Sequence, residues 1–146
     1  MDLRARALRW LLWFVSVSHL LLGLGAFLSA EFRLWVGRLY GADLVWTDEL
    51  GYVAAMGAAF MVGLGVAGVA AARDPARHRA VVMAFAVVLL LRVAQRLAQP
   101  GAIEELFGIP VWRTVANAVF FAALAAALLL LLPPARPEAN RDEGPS

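Results

Sequence analysis

Polar side chains within long apolar runs are the residues of this sequence best suited to do chemistry. One run carries Arg92, Gln95 and Arg96, and this spacing puts the three side chains on one face of a helix. Arg113 and Asn117 share a face of the next run in the same way. A guanidinium at the centre of a membrane-spanning helix costs roughly 2.5–3.5 kcal/mol to insert. Such residues therefore need either polar partners or a function.

Two interpretations of these groups remain open. If neighbouring helices run antiparallel, Arg92, Arg96 and Arg113 lie at the level of Glu49, which precedes another apolar run. The groups then form a structural network, with long side chains reaching back to the lipid head groups. The functional interpretation is a polar pocket, electropositive enough to bind an anionic or quinone-like head group. Its candidate lining residues are His19, Glu49, Arg92, Gln95, Arg96, Arg113 and Asn117.

His19 is a lone imidazole in the middle of the first apolar run. Ligation of haem by two histidines requires a second one inside the bundle, and His78 lies in a charged turn. The sequence has no cysteine, and no Asp or Glu lies at the depth of His19. We therefore expect neither a metal site nor a cofactor. A hydrogen-bonded structural role, a proton relay and a head-group ligand remain open for His19.

The elements that position these residues are four long apolar runs, at 9–30, 51–72, 80–99 and 111–132. Each has about 20–22 residues, or about 30–33 Å of helix, which matches the hydrocarbon core of a bilayer. The chain is 62% hydrophobic and 16% charged, compared with about 45–50% and about 25% for soluble domains. A chain of 146 residues cannot bury four such helices in water. We predict an all-α bundle of four transmembrane helices.

The polar stretch after these runs is predicted to lie outside the bundle. Residues 1–134 are expected to form a single transmembrane domain, because Pro133 and Pro134 end the fourth run. Residues 135–146 are rich in proline and charge. We therefore predict that they form a disordered cytoplasmic tail.

The distribution of arginine predicts the orientation of the chain. All 13 basic residues are arginine, which we take as a sign of a GC-rich bacterial genome. The cytoplasmic ends of membrane-spanning helices carry an excess of basic residues. With four spans, one side of the membrane holds Arg4, Arg6, Arg9, Arg73, Arg77, Arg79, Arg136 and Arg141. We predict a multi-pass protein of the bacterial cytoplasmic membrane with both termini in the cytoplasm.

The first apolar run and the loop after it each have two interpretations. Run 9–30 is either a retained helix or a signal peptide cleaved after Ala30, although its length exceeds that of most signal peptides. Loop 31–48 interleaves apolar residues with Arg33 and Arg38. It is either a short interfacial helix on the outer leaflet or a loop that caps the bundle.

The second run is rich in glycine and alanine. Lipid tails are as apolar as leucine, so helices in a membrane associate through close packing of small residues. Ala55, Ala59 and Gly63 recur every four residues along one helical face. We expect this helix to be the central and most crowded one, with a homodimer face as the alternative use of the same residues.

Several short motifs resemble those of a known group of bacterial membrane proteins. They are Glu49-x-Gly51-Tyr52, Gly63-x-Gly65, Arg73-Asp74-Pro75, and Leu91-Arg92 with Arg96. With the four-run layout over 9–132, they resemble the DoxX-like and BphX-like small four-helix proteins. That resemblance implies an inner-membrane bundle, in a group where some members are subunits or companions of membrane oxidoreductases. It transfers no catalytic residue.

The predicted function is that of a non-enzymatic accessory or assembly subunit in the membrane. The alternative is a carrier or binder of an amphiphilic or anionic small molecule, such as a lipid or a quinone-like compound. The expected partners are the lipid bilayer and either a membrane-protein partner or a second copy of the chain. The isoelectric point of about 9.9 does not indicate nucleic-acid binding, because the arginines flank apolar runs and do not form one basic face.

Overall fold

The computed structural model describes residues 3–43 and 46–132, which form helices and no strands. Six helices follow one another in these ranges: α1 (Leu3–Leu28), α2 (Ala30–Tyr40), α3 (Asp48–Arg73), α4 (Arg79–Ala98), α5 (Pro100–Phe107) and α6 (Val111–Leu131). The predicted all-α fold class is confirmed. The predicted tail at 135–146 lies outside the described residues.

Four of the helices, α1, α3, α4 and α6, are long and apolar enough to cross a membrane. They contain 26, 26, 20 and 21 residues, which corresponds to about 30–39 Å of helix against a hydrocarbon core of about 30 Å. The chain is therefore a multi-pass membrane protein, as its composition predicts.

The first two spanning helices extend beyond the predicted apolar runs. α1 begins at Leu3, because arginine is a good helix former and the helix can therefore include Arg4 and Arg6. α3 begins at Asp48, where the hydroxyl of Thr47 accepts a hydrogen bond of 3.3 Å from the amide of Leu50. Hydropathy predicts which part of a helix lies in lipid, whereas capping residues determine where the helix begins and ends.

The bundle is built from two antiparallel helix pairs. α1 packs most extensively on α3, and α4 packs on α6. The pairs meet through α3 with α4 and α1 with α6, so that the four spans enclose a common interior. The largest fully buried side chains of this interior are Leu8, Leu12, Val82, Phe85, Leu89 and Leu128.

Glycine allows α1 and α3 to approach closely, but on a different face of α3 from the predicted one. A Cβ on Gly68 would lie 2.7 Å from the ring of Phe85 and would also collide with the hydroxyl of Ser16. By contrast, Ala59 and Gly63 are exposed, and nothing lies within 4 Å of a Cβ built on Gly63.

The prediction that α3 is the most crowded helix was wrong. Only 17% of the residues in the most apolar stretch of α3 are buried, compared with 28% for α1. Both faces of α3 carry small apolar residues, and hydropathy cannot distinguish a face that meets lipid from one that meets protein.

Two short helices lie at one end of the bundle, which we call the loop end. α2 confirms that part of loop 31–48 is helical. The hydroxyl of Ser29 caps its start by accepting from the amide of Phe32 at 3.1 Å, and Gly41 ends it with φ of 87°. The sequence interpretation missed α5, whose signals are Pro100 in its first turn and Gly108 after its end, with φ of 65°.

The two kinds of glycine in α3 give a matched stability test. We expect Gly68→Ala to lower the free energy of unfolding by about 1–3 kcal/mol, because the added methyl group overpacks the contact with Ser16 and Phe85. Gly63→Ala should leave stability unchanged or raise it slightly, since alanine is the better helix former and the site is open. Thermal unfolding in detergent measures both. Equal melting temperatures for the two variants would contradict this account of α1–α3 packing.

Candidate functional site

A partly open cavity of about 170 Å³ lies between the helices towards the loop end. We call it the arginine cavity, because Arg92 and Arg96 are its two charged lining residues. Tyr40 adds a hydroxyl-bearing side chain. The rest of the lining is apolar and comes from Leu22, Ala26, Val36, Met61 and Phe121. Five helices therefore contribute to one small space, whose mainly apolar lining includes two cations and one hydroxyl group.

The rotation of α4 turns both arginines towards the interior. Phe85 and Leu89 are almost completely buried and lie on the same helical face as Arg92 and Arg96, at spacings of three and four residues. Packing of these two side chains in the core fixes the face that α4 presents to its neighbours. The side chains of both arginines are half-buried as a result.

Both guanidinium groups contact the same aromatic ring. The Cζ atom of Arg92 lies 5.3 Å from the ring centroid of Phe121, and that of Arg96 lies 5.6 Å from it. A cation over an aromatic face gains about 0.5–1 kcal/mol when exposed and about 2 kcal/mol when desolvated. This contact orients the two cations but supplies no hydrogen-bond acceptor to them.

The charge of the arginine pair is not balanced by the described part of the chain. No carboxylate in residues 3–43 or 46–132 forms an ion pair with Arg92 or Arg96. The Nε atom of Arg96 is buried and lacks a hydrogen-bond partner. A buried donor without an acceptor costs about 1–3 kcal/mol, and more when it belongs to a charged group. Two cations without a described counter-charge therefore line the same space.

α2 closes one side of the cavity and is held there by polar contacts. Val36 and Tyr40 of α2 line the space. At its start, Arg33 donates from Nη1 to the carbonyl of Ala26 at 2.9 Å. At its end, Arg113 donates from Nη2 to the carbonyl of Leu39 at 3.0 Å. The position of α2 therefore depends on two arginines from different parts of the sequence.

Gly41 makes the contact at the end of α2 sterically feasible. A Cβ at this position would lie 2.6 Å from Nη1 of Arg113. The loop that follows is tied to α5, because the amide of Asp43 donates to the carbonyl of Phe107 at 2.9 Å. Through these contacts α2 is connected to both α5 and α6.

His19 lies one helical turn from the cavity on the face of α1 that includes Leu22. Its Nδ1 atom is 2.8 Å from the carbonyl oxygen of Val15, which places the proton on Nδ1 and leaves Nε2 as an acceptor. Its ring meets that of Phe85 edge to face, with 5.5 Å between centroids. These contacts favour the structural role among those left open for this residue.

The structure brings together only part of the predicted pocket. Of its seven residues, Arg92 and Arg96 line the cavity. Glu49 is exposed in the first turn of α3, where a carboxylate complements the helix dipole and does not approach the arginines. Gln95 is exposed on α4, and Asn117 is half-buried on α6.

Two lining residues were not predicted. Phe121 could have been found from its spacing, since it lies four residues after Asn117 and eight after Arg113 on the same face of α6. No local signal identifies Tyr40, because its place in the cavity depends on how α2 packs across the bundle.

The other chemistry of the described chain is limited. Residues 3–43 and 46–132 contain no group of three or more His, Cys, Asp or Glu side chains that could hold a metal ion. Comparison with known proteins gives no assignment: no family model, curated protein or solved structure matches the chain.

The anchoring of α2 is testable by amide exchange. We expect Arg113→Gln to accelerate hydrogen–deuterium exchange at the amides of residues 36–41 about two- to tenfold, because it removes a hydrogen bond worth about 0.5–1.5 kcal/mol. Arg38→Gln is the control, since it removes an exposed arginine in the last turn of the same helix. Similar exchange in the two variants would show that Arg113 does not hold α2.

Proposed function

We propose that this protein binds an anionic amphiphile of the membrane in its arginine cavity. The observation that carries the proposal is that Arg92 and Arg96 face one space inside a membrane-spanning bundle without a described carboxylate partner. The apolar lining from Leu22, Met61 and Phe121 suits the part of an amphiphile next to its head group. The protein acts as a carrier or binder of that molecule.

The energetics of buried arginine support this use. Arginine cannot lose its proton in a protein, so burial does not neutralise it. Leaving a fully buried charge without its partner costs about 3–5 kcal/mol, and the half-burial of Arg92 and Arg96 reduces this penalty without removing it. An anion that enters the arginine cavity compensates the charge of Arg92 and Arg96 and supplies acceptors for their terminal guanidinium nitrogens.

The proposed orientation places the cavity near the outer leaflet of a bacterial cytoplasmic membrane. The basic residues at the start of α1 and around the turn between α3 and α4 lie at the end of the bundle opposite α2 and α5. The positive-inside rule assigns that end to the cytoplasm. The loop end, with the arginine cavity, then faces outwards.

The exposed face of α3 favours a second candidate function, the accessory subunit that the sequence predicts. Ala59 and Gly63 lie on this face, and small residues four apart allow close helix contact in membranes. The DoxX-like resemblance, in which some members accompany oxidoreductases, is consistent with this role. A stoichiometric protein that co-purifies in mild detergent would favour this candidate over the binding function.

The binding function is tested by removing the cations one at a time. We expect Arg92→Gln and Arg96→Gln each to reduce the anionic lipid retained through purification in mild detergent about tenfold, because each removes one of the two charges at the site. Native mass spectrometry measures the retained lipid per protein molecule. Arg73→Gln, at the exposed end of α3, should retain as much lipid as the unmodified protein.

The result is interpreted together with the stability of each variant. If both glutamine variants accumulate, melt normally and keep their lipid, the proposed function is wrong. If they fail to accumulate but the remaining folded protein carries lipid in the usual amount, the arginines are structural.

The orientation is tested by site-specific labelling, for which the absence of native cysteine provides a clean background. We expect Glu105→Cys, exposed on α5, to react with a membrane-impermeant maleimide in intact cells. Arg77→Cys, exposed in the turn after α3, should react only after the cells are permeabilised. The reverse pattern would place the arginine cavity near the inner leaflet.

A further inference from the structure

We infer that the head group bound in the arginine cavity is a terminal phosphate monoester, a dianion, and not the singly charged phosphate diester of most phospholipids. This inference rests on the proposed function and specifies its ligand. It follows from three properties of the cavity: its charge, its hydrogen-bond donors and its volume.

The charge of the cavity matches a dianion. Arg92 and Arg96 supply two positive charges, and the remaining described lining residues are apolar apart from the neutral Tyr40. The carboxylates of the loop end do not contribute, because all of them are exposed: Glu31, Asp43, Asp48, Glu49, Glu104 and Glu105. A monoanion would leave one guanidinium uncompensated at low dielectric, where charge interactions are several times stronger than in water. A phosphate monoester carries a charge of about −1.5 to −2 at pH 7 and therefore leaves almost none of the positive charge uncompensated.

The donors of the cavity also match a monoester. Each guanidinium presents five N–H donors in a planar fork that can bind two phosphate oxygens at once. The Nε of Arg96 is itself enclosed by protein, so the donors left for a ligand are the terminal nitrogens of the two guanidinium groups. A monoester offers three terminal oxygens to two such forks, whereas a diester offers two, because its other oxygens carry carbon substituents.

The volume of the cavity favours a compact head group. About 170 Å³ is available, whereas pockets that enclose a drug-sized ligand have about 300–1,000 Å³. A diester head group needs additional space for the alcohol on its far side. A terminal phosphate needs none, and the acyl chains of such a lipid can remain in the bilayer beyond the apolar lining.

The experiment compares lipids that differ only in the head group. The detergent-solubilised protein is titrated calorimetrically at pH 8 with dioctanoyl phosphatidic acid, dioctanoyl phosphatidylglycerol and dioctanoyl phosphatidylcholine, and with inorganic phosphate. We expect phosphatidic acid to bind about tenfold or more tightly than phosphatidylglycerol, and phosphatidylcholine to bind most weakly. Inorganic phosphate should bind at least about tenfold more weakly than phosphatidic acid, since it lacks the apolar part.

A pH series on the unmodified protein provides a second readout that needs no variant. The preference for phosphatidic acid over phosphatidylglycerol should increase as the pH rises through about 6, because the monoester then loses its second proton. Arg96→Gln should reduce this preference to about twofold or less, because one cation no longer distinguishes the two head groups. Arg73→Gln, at the exposed end of α3, should retain the full preference.

The outcomes separate the inference from the proposed function. Equal affinity for the two anionic lipids, both tighter than phosphatidylcholine, would overturn the monoester inference and leave the binding function intact. Equal affinity for all three lipids would overturn both. Inorganic phosphate binding as tightly as phosphatidic acid would identify a soluble phosphate as the ligand and overturn the assignment to a lipid head group.

Discussion

The structure depends on the fact that lipid does not drive one apolar helix against another. In water, burial of apolar surface holds a bundle together, whereas in hydrocarbon an apolar side chain is solvated equally well outside. Close packing must therefore replace the hydrophobic effect. Gly68 allows this packing where α3 contacts Ser16 of α1 and Phe85 of α4. The same medium cannot solvate charge, so polar side chains at depth turn inwards. The glycine contacts and the arginine cavity therefore both follow from the properties of lipid as a solvent.

These two features are connected through α4. Phe85 packs against Gly68 and the ring of His19, and this contact fixes which face of α4 meets the bundle. Because Arg92 and Arg96 continue that face, core packing near the middle of the helix determines where the guanidinium groups lie two to three turns later. Both guanidinium groups then contact the ring of Phe121 on α6. The site is thus positioned by apolar packing, although charge gives it its binding properties.

Local features of the sequence predicted most of the spans and the common face of Arg92 and Arg96, because bilayer thickness and helical spacing act on neighbouring residues. They did not predict which face of α3 is buried, since Gly63 and Gly68 have the same residue type and only tertiary packing distinguishes their positions. Arg113 was expected beside the other arginines but contacts Leu39, 74 residues away in sequence. Contacts of this range depend on tertiary packing, which residue spacing does not encode.

The two helix pairs differ in length, although their apolar runs do not. α1 and α3 have 26 residues each, whereas α4 and α6 have 20 and 21, a difference of about 8–9 Å along the axis. The apolar runs of the four helices are nearly equal, at about 20–22 residues, and the apolar stretch is what must match the thickness of the hydrocarbon core. The additional turns of α1 and α3 carry Arg4, Arg6, Asp48 and Glu49, whose charges are suited to the head-group region. One bilayer thickness therefore fits all four spans, and the longer pair projects beyond the hydrocarbon.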